Sequence, residues 1–150
     1  MAVWQVNFSL ISENLKENFK EVVPSESCVE HLTKDSVTNV SEVLPKGKSW
    51  TEDLIVYGNI DSTCVLLVHK EGSLRRVSVR FDVRTLRKEE LISIVDFINT
   101  NKLKIIHDNK VIEPTIGNIV QIIKDSDALK FCKNPHQYIS GLNKVTTIED

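Results

Sequence analysis

Between Leu74 and Arg84 the chain sorts its side chains by parity. Val77, Val79, Phe81 and Val83 fall on one side, and Arg76, Ser78, Arg80, Asp82 and Arg84 on the other. A period of two predicts a strand with one apolar and one charged face. The apolar run Thr63 to His69 precedes it, and Glu71-Gly72 between them predicts a hairpin turn. Strand 63–69 is apolar at both parities, so it is expected to lie centrally with both faces covered. Strand 74–84 has a polar face and is expected nearer an edge or under incomplete cover. Leu54-Ile55-Val56-Tyr57 predicts a strand ending at Gly58. Trp4, Val6, Phe8 and Leu10, alternating with Val3, Gln5, Asn7 and Ser9, predict another. Leu103 to His107, the turn Asp108-Asn109-Lys110 and the returning Val111-Ile112-Glu113 predict a second hairpin.

Helical spacing fills the intervals. Ser12 is a cap candidate for a helix carrying Leu15, Phe19, Val22 and Val23, stopped by Pro24. Its Glu13, Glu17 and Glu21 recur every four residues among Lys16 and Lys20, a solvated face with favourable charge pairs. Thr85 is expected to cap the most regular helix, with Glu89 and Glu90 at its positive end, a buried stripe of Leu91, Ile94, Val95 and Ile98, and Asn101 at its end. Thr115 caps a helix bearing Ile116, Ile119, Val120 and Ile123. Ser126 caps one bearing Ala128, Leu129, Phe131 and Cys132, and Asn134-Pro135 opens a last one ended by Gly141. Residues 25–49 read two ways: Val37, Val40, Val43 and Leu44 fit a short helix after Asp35 or Ser36, while their β-branching favours a strand. Pro45-Lys46-Gly47-Lys48 reads as a turn. These elements define an α+β fold, a central, mainly antiparallel sheet with helices packed chiefly on one side. It is expected as one domain over residues 1–142, with a polar tail over 143–150.

Composition narrows the function classes. At 150 residues, 41% hydrophobic and 27% charged, the chain has the make-up of a globular domain large enough for its own core. A net charge of −2 gives no global pull toward nucleic acid or an anionic membrane, so neither is an expected partner. The start lacks a basic segment followed by an apolar run, and the apolar runs are too short to span a bilayer. Three cysteines without a dense spacing fit a reducing cytoplasm better than a disulfide scaffold.

Candidate chemistry is sparse. No phosphate-binding glycine loop, zinc-protease helix motif or serine elbow occurs. Cys28, His31, Cys132 and His136 have the donor types of a zinc site, but two separate pairs about a hundred residues apart, without a knuckle, make a core thiol and surface histidines the expected reading. No metal or cofactor is expected. An enzyme would have to assemble a site from His107, Asp108 and Glu113 around one hairpin. The charged face is more informative. Arginine recognises carboxylate or phosphate with a planar fork, so Arg76, Arg80 and Arg84, with Asp82 between the last two, form a docking candidate. Trp50 and Tyr57 join them, as amphipathic rings favoured at interfaces. The same arginines offer a second reading, a nucleic-acid or small-ligand surface, against which the absence of interleaved aromatics counts.

Gly47-Lys48-Ser49-Trp50, Tyr57-Gly58-Asn59-Ile60-Asp61-Ser62, Arg80-Phe81-Asp82-Val83-Arg84 and Asn134-Pro135 are similar in style to the small α+β immunity proteins of bacterial toxin systems. That resemblance implies a cytoplasmic protein that binds and neutralises a cognate toxin without catalysis. It transfers no functional residue.

Overall fold

The computed structural model describes residues 2–13, 32, 34–49 and 51–133. Six strands form one antiparallel sheet: β1 (Gln5–Ser12), β2 (Leu54–Gly58), β3 (Cys64–Lys70), β4 (Ser73–Asp82), β5 (Leu103–His107) and β6 (Lys110–Ile112), in the order β2-β3-β4-β1-β5-β6. Four helices accompany it: α1 (Thr38–Val43), entered through a 3-10 turn at Lys34–Val37, α2 (Lys88–Thr100), α3 (Ile116–Lys124) and α4 (Asp127–Lys133). The fold is therefore α+β, as the patterning predicts.

Two tight turns carry the hairpins. Glu71 and Gly72 both take positive φ (55° and 81°), as do Asp108 and Asn109 (50° and 61°). Left-handed backbone at both central residues matches the twist of the flanking strands, which is why Gly, Asn and Asp stand there. Thr115 Oγ1 accepts from Asn118 N–H at 3.1 Å to cap α3, and Ser126 Oγ accepts from Leu129 N–H at 3.2 Å to cap α4, both at the expected residues. Helix α2 starts differently. Thr85 belongs to the preceding turn, and Arg87 is the capping residue, its N–H donating to Glu90 Oε1 at 3.0 Å. Glu90 sits at the third helical position, where a carboxylate reaches back to an otherwise orphan donor.

The helices share one face of the sheet. Val6, Phe8, Leu10, Val65, Leu67, Val77, Val79, Phe81, Leu103 and Ile105 from the strands meet Val40, Leu91, Ile94, Val95, Phe97, Ile98, Ile119, Ile123 and Ala128 from the helices. The opposite face carries a second, smaller cluster, Leu54, Val56, Cys64 and Leu66, with Ile60 and Val68 packed against it. β3 is thus buried at both parities, as its composition requires. β4 is not at an edge: it is interior, between β3 and β1, and its polar parity faces across to Gln5, Asn7 and Ser9 on β1; Arg76 exposed and Ser78 and Arg80 half-buried fit the other expectation, incomplete cover. Ser12 is the last residue of β1, and the helix it is expected to cap, with its stripe at 15–23, lies outside the described residues, as does the Asn134-Pro135 start.

Pro45-Lys46-Gly47 is not a turn. It runs extended along the outer edge of β2, with Lys46 bridged to Tyr57, Gly47 N–H donating to Val56 O at 2.7 Å and Gly58 N–H donating to Pro45 O at 2.8 Å. A Cβ on Gly47 would stand 2.2 Å from Gly58 O, so only glycine fits this approach. Gly47→Ala is expected to cost about 1–3 kcal/mol, because a main-chain carbonyl must move. A lowered urea midpoint with an unchanged slope checks it.

Candidate functional site

The end of β4 is built as a clamp. One residue beyond the Gln5↔Asp82 pair, Val83 N–H donates to Trp4 O at 3.0 Å, and the chain then bends. In the bend Arg84 N–H and Nε donate to Asp82 Oδ1 at 2.9 and 3.0 Å, and Arg84 Nη2 donates to Oδ2 at 2.8 Å. The guanidinium stacks on Trp4, 3.8 Å from the ring centroid. Trp4 Nε1 donates to Asp61 O, Gln5 Nε2 donates to Ile60 O and Ser62 O, and Asp82 N–H donates to Thr63 Oγ1. The β2–β3 connection at 59–63 is therefore fastened to β1 and β4 from several sides. Trp4 is half-exposed and supports the arginine instead of joining the core.

Asp82 is fully buried, while the Arg84 side chain is 44% exposed. Burial alone would push the Asp82 carboxyl up. The hydrogen bonds from the Arg84 side chain and main chain and from Ser62, with the Arg84 charge, outweigh it and hold the group below the ordinary carboxylate value. Asp82 is a structural anchor sealed from any partner, and Arg84 is committed to it. This corrects the expectation that both lie on an outward charged face.

Arg76 and Arg80 remain. They share the sheet face opposite the described helices, two positions either side of Ser78, opposite Val68 and Cys64 on β3, with Asn7 and Ser9 beside them on β1. Among the described residues neither has a carboxylate partner, whereas Arg84 and Arg87 do. Arg80 Nη1 makes only a long contact of 3.4 Å to Ile60 O, and its inaccessible Nε has no hydrogen-bond partner. Tyr57 pairs with Val65 and packs against the main core, so it lies on the other face from these arginines. Trp50 lies outside the described residues. The sheet therefore does not join the six docking candidates into one surface; it leaves a two-arginine strip.

A second feature lies beside β1, next to the clamp and sharing Gln5 with it. β5 accompanies β1 only from Ser9↔Ile106 to Ser12↔Leu103 and then turns back at Asp108-Asn109 into β6. Beside the first half of β1 this leaves a cleft of about 810 Å³, closed on the far side by Ile122 and Asp125–Ala128 of the α3–α4 corner. His107 stands at its wall, its ring edge-on to Phe8 at 5.2 Å and its Nε2 3.5 Å from Asp108. Glu113, the third member of the hairpin triad considered for catalysis, instead pairs with Lys104 at 2.5 Å. The cleft's residues are scattered over four elements, and only His107-Asp108 drew notice in the sequence.

The two described thiols are poor nucleophiles. Burial pushes Cys64 up to about 11, against the pull of Arg80 across the strand, and burial likewise raises Cys132. No group of three or more His, Cys, Asp or Glu able to hold a metal occurs among the described residues, and Cys28, His31 and His136 lie outside them. No described helix is long and apolar enough to cross a membrane. Comparison with protein-family models, curated proteins and solved structures gave no match.

Proposed function

We propose that the chain is a non-enzymatic cytoplasmic binding protein that docks a protein partner, a bacterial toxin in the immunity reading, through the arginine-bearing face of its sheet. The observation that supports this best is the Arg76–Arg80 strip: two guanidiniums on one face with no carboxylate partner among the described residues. Arg76 is exposed and Arg80 partly so, and a guanidinium without a carboxylate of its own can take one from a partner. Ser78, Asn7 and Ser9 give this face short polar side chains that let a partner approach the arginines. Arg84 is bound to Asp82, so the nucleic-acid reading loses one of its three cations.

Arg76→Ala/Arg80→Ala is expected to keep the wild-type unfolding free energy, read from urea denaturation, to within about 0.5 kcal/mol, because neither side chain anchors the core. It should lower affinity for the partner by about 2 kcal/mol or more, the usual scale for arginine anchors. The partner is first isolated by co-purification from the native host. Expressed alone it should arrest growth, and the wild-type chain should rescue where the double variant does not. Equal rescue by the two would remove this face from consideration; a captured protein that leaves growth untouched would remove the toxin.

A further inference from the structure

β1 is paired with β4 from Gln5 to Leu10 on one edge and with β5 from Ser9 to Ser12 on the other. Its even positions turn their main chain toward β4, as the Val83–Trp4 bond shows; its odd positions turn theirs toward β5, as the bond from Glu13 N–H to Lys102 O shows. On that side the ladder stops at Ser9↔Ile106. Gln5 N–H turns back to Ala2 O, but Gln5 C=O and both main-chain groups of Asn7 have no strand beside them among the described residues. They face the cleft. An unpaired edge inside a concavity differs from one at a sheet margin. It offers directed donors and acceptors in a space of about 810 Å³, room for three or four extended residues at roughly 3.3 Å each.

We propose that this gap is a strand-addition site, in which an extended cationic peptide lays its main chain along Gln5–Asn7 and directs lysine or arginine side chains to Asp108 and Asp125 at the rim. The main-chain edge supplies affinity independent of sequence, and side-chain pockets supply selectivity. Val6, Ile122 and Ala128 line the cleft as an apolar floor for alternate side chains of the added strand. Asp108, Asp125 and Asp127 ring it with negative charge, and among the described lining residues there is no lysine or arginine. That imbalance selects a basic segment over an acidic one. The site lies beyond the arginine strip and does not depend on it.

The test uses the whole chain and a seven-residue peptide alternating valine and lysine, followed by fluorescence anisotropy. Binding should slow hydrogen exchange at the Asn7 amide. N-methylation of the peptide's central amides removes donors without changing charge, and it should weaken binding roughly tenfold or more. Asp108→Asn/Asp125→Asn should weaken it by a similar factor; asparagine tolerates the left-handed backbone at position 108, so that variant folds. Equal binding of the methylated peptide, unchanged exchange at Asn7, or no binding at millimolar peptide would each overturn the site. Binding that emerges only after deletion of residues 134–150 would assign the edge to the chain's own end and overturn it too.

Discussion

Phe8→Ala should lower the free energy of unfolding by about 3–5 kcal/mol, the range for deleting a buried aromatic ring. Phe8 is 0% exposed and stands where the two halves of the sheet meet. Its ring meets Phe81 at 5.5 Å and 65°, and His107 at 5.2 Å and 84°, both edge-on. Such contacts add about 0.5–1.5 kcal/mol beyond area burial. Removing the ring opens a hole beneath β4, β1 and the β5–β6 turn together, and rigid strands on both sides limit collapse into it. Since domains are stable by only about 5–15 kcal/mol in total, the variant should be near unfolding at 37 °C. Urea denaturation followed by tryptophan fluorescence measures the loss. Phe8→Leu should recover most of it, and Ile116→Ala, at a side chain 43% exposed, should change stability by less than about 0.5 kcal/mol. A Phe8→Ala protein as stable as the wild type would place the core elsewhere.

Asp82→Ala should cost about 2–3 kcal/mol. Breaking a sealed ion pair costs about 3–5 kcal/mol when the surviving charge stays dry, but the Arg84 side chain is 44% exposed and regains water. The loss also frees the Arg84 main-chain N–H and loosens the clamp on the loop at 59–63. The same carboxylate contributes a pH dependence whose sign is fixed. Its folded value lies below the ordinary 3.8, so its stabilisation is complete above that value and is lost as the pH falls through the folded value. Wild type should therefore lose more stability than Asp82→Ala between pH 6 and strongly acidic conditions. Urea midpoints for both proteins across that range test it. Parallel pH profiles would mean that Asp82 is not ionised by its partner in the way described.

Much of this fold could be read before any coordinates. β3 announced its two buried faces through apolar residues at both parities, the turns at Glu71-Gly72 and Asp108-Asn109 through residues that tolerate positive φ, and α3 and α4 through Thr115 and Ser126. The failures have a common origin in long-range pairing. Parity separates two faces of a strand but does not say what lies across from the polar one. β4 looked marginal because its neighbour β1 comes from more than sixty residues away and presents Gln5, Asn7 and Ser9 to it. Asp82 looked solvated because nothing local reports that the chain bends at Val83 and folds Arg84 back onto it. Pro45-Lys46-Gly47 has turn composition, yet its glycine is required by the approach of another glycine, Gly58. The cleft was the least legible feature, since it is defined by where β5 stops rather than by any residue pattern.

The place of β1 in the sheet has a kinetic consequence. β2, β3 and β4 are joined by short connections, and β5 and β6 by a two-residue turn, so each group can assemble from contacts close in sequence. β1 bridges the groups, pairing with residues 77–82 on one side and 103–106 on the other. Closing loops of that length delays pairing, so β1 is expected to join the sheet last. Until β1 docks between β4 and β5, the two groups it joins have no common sheet.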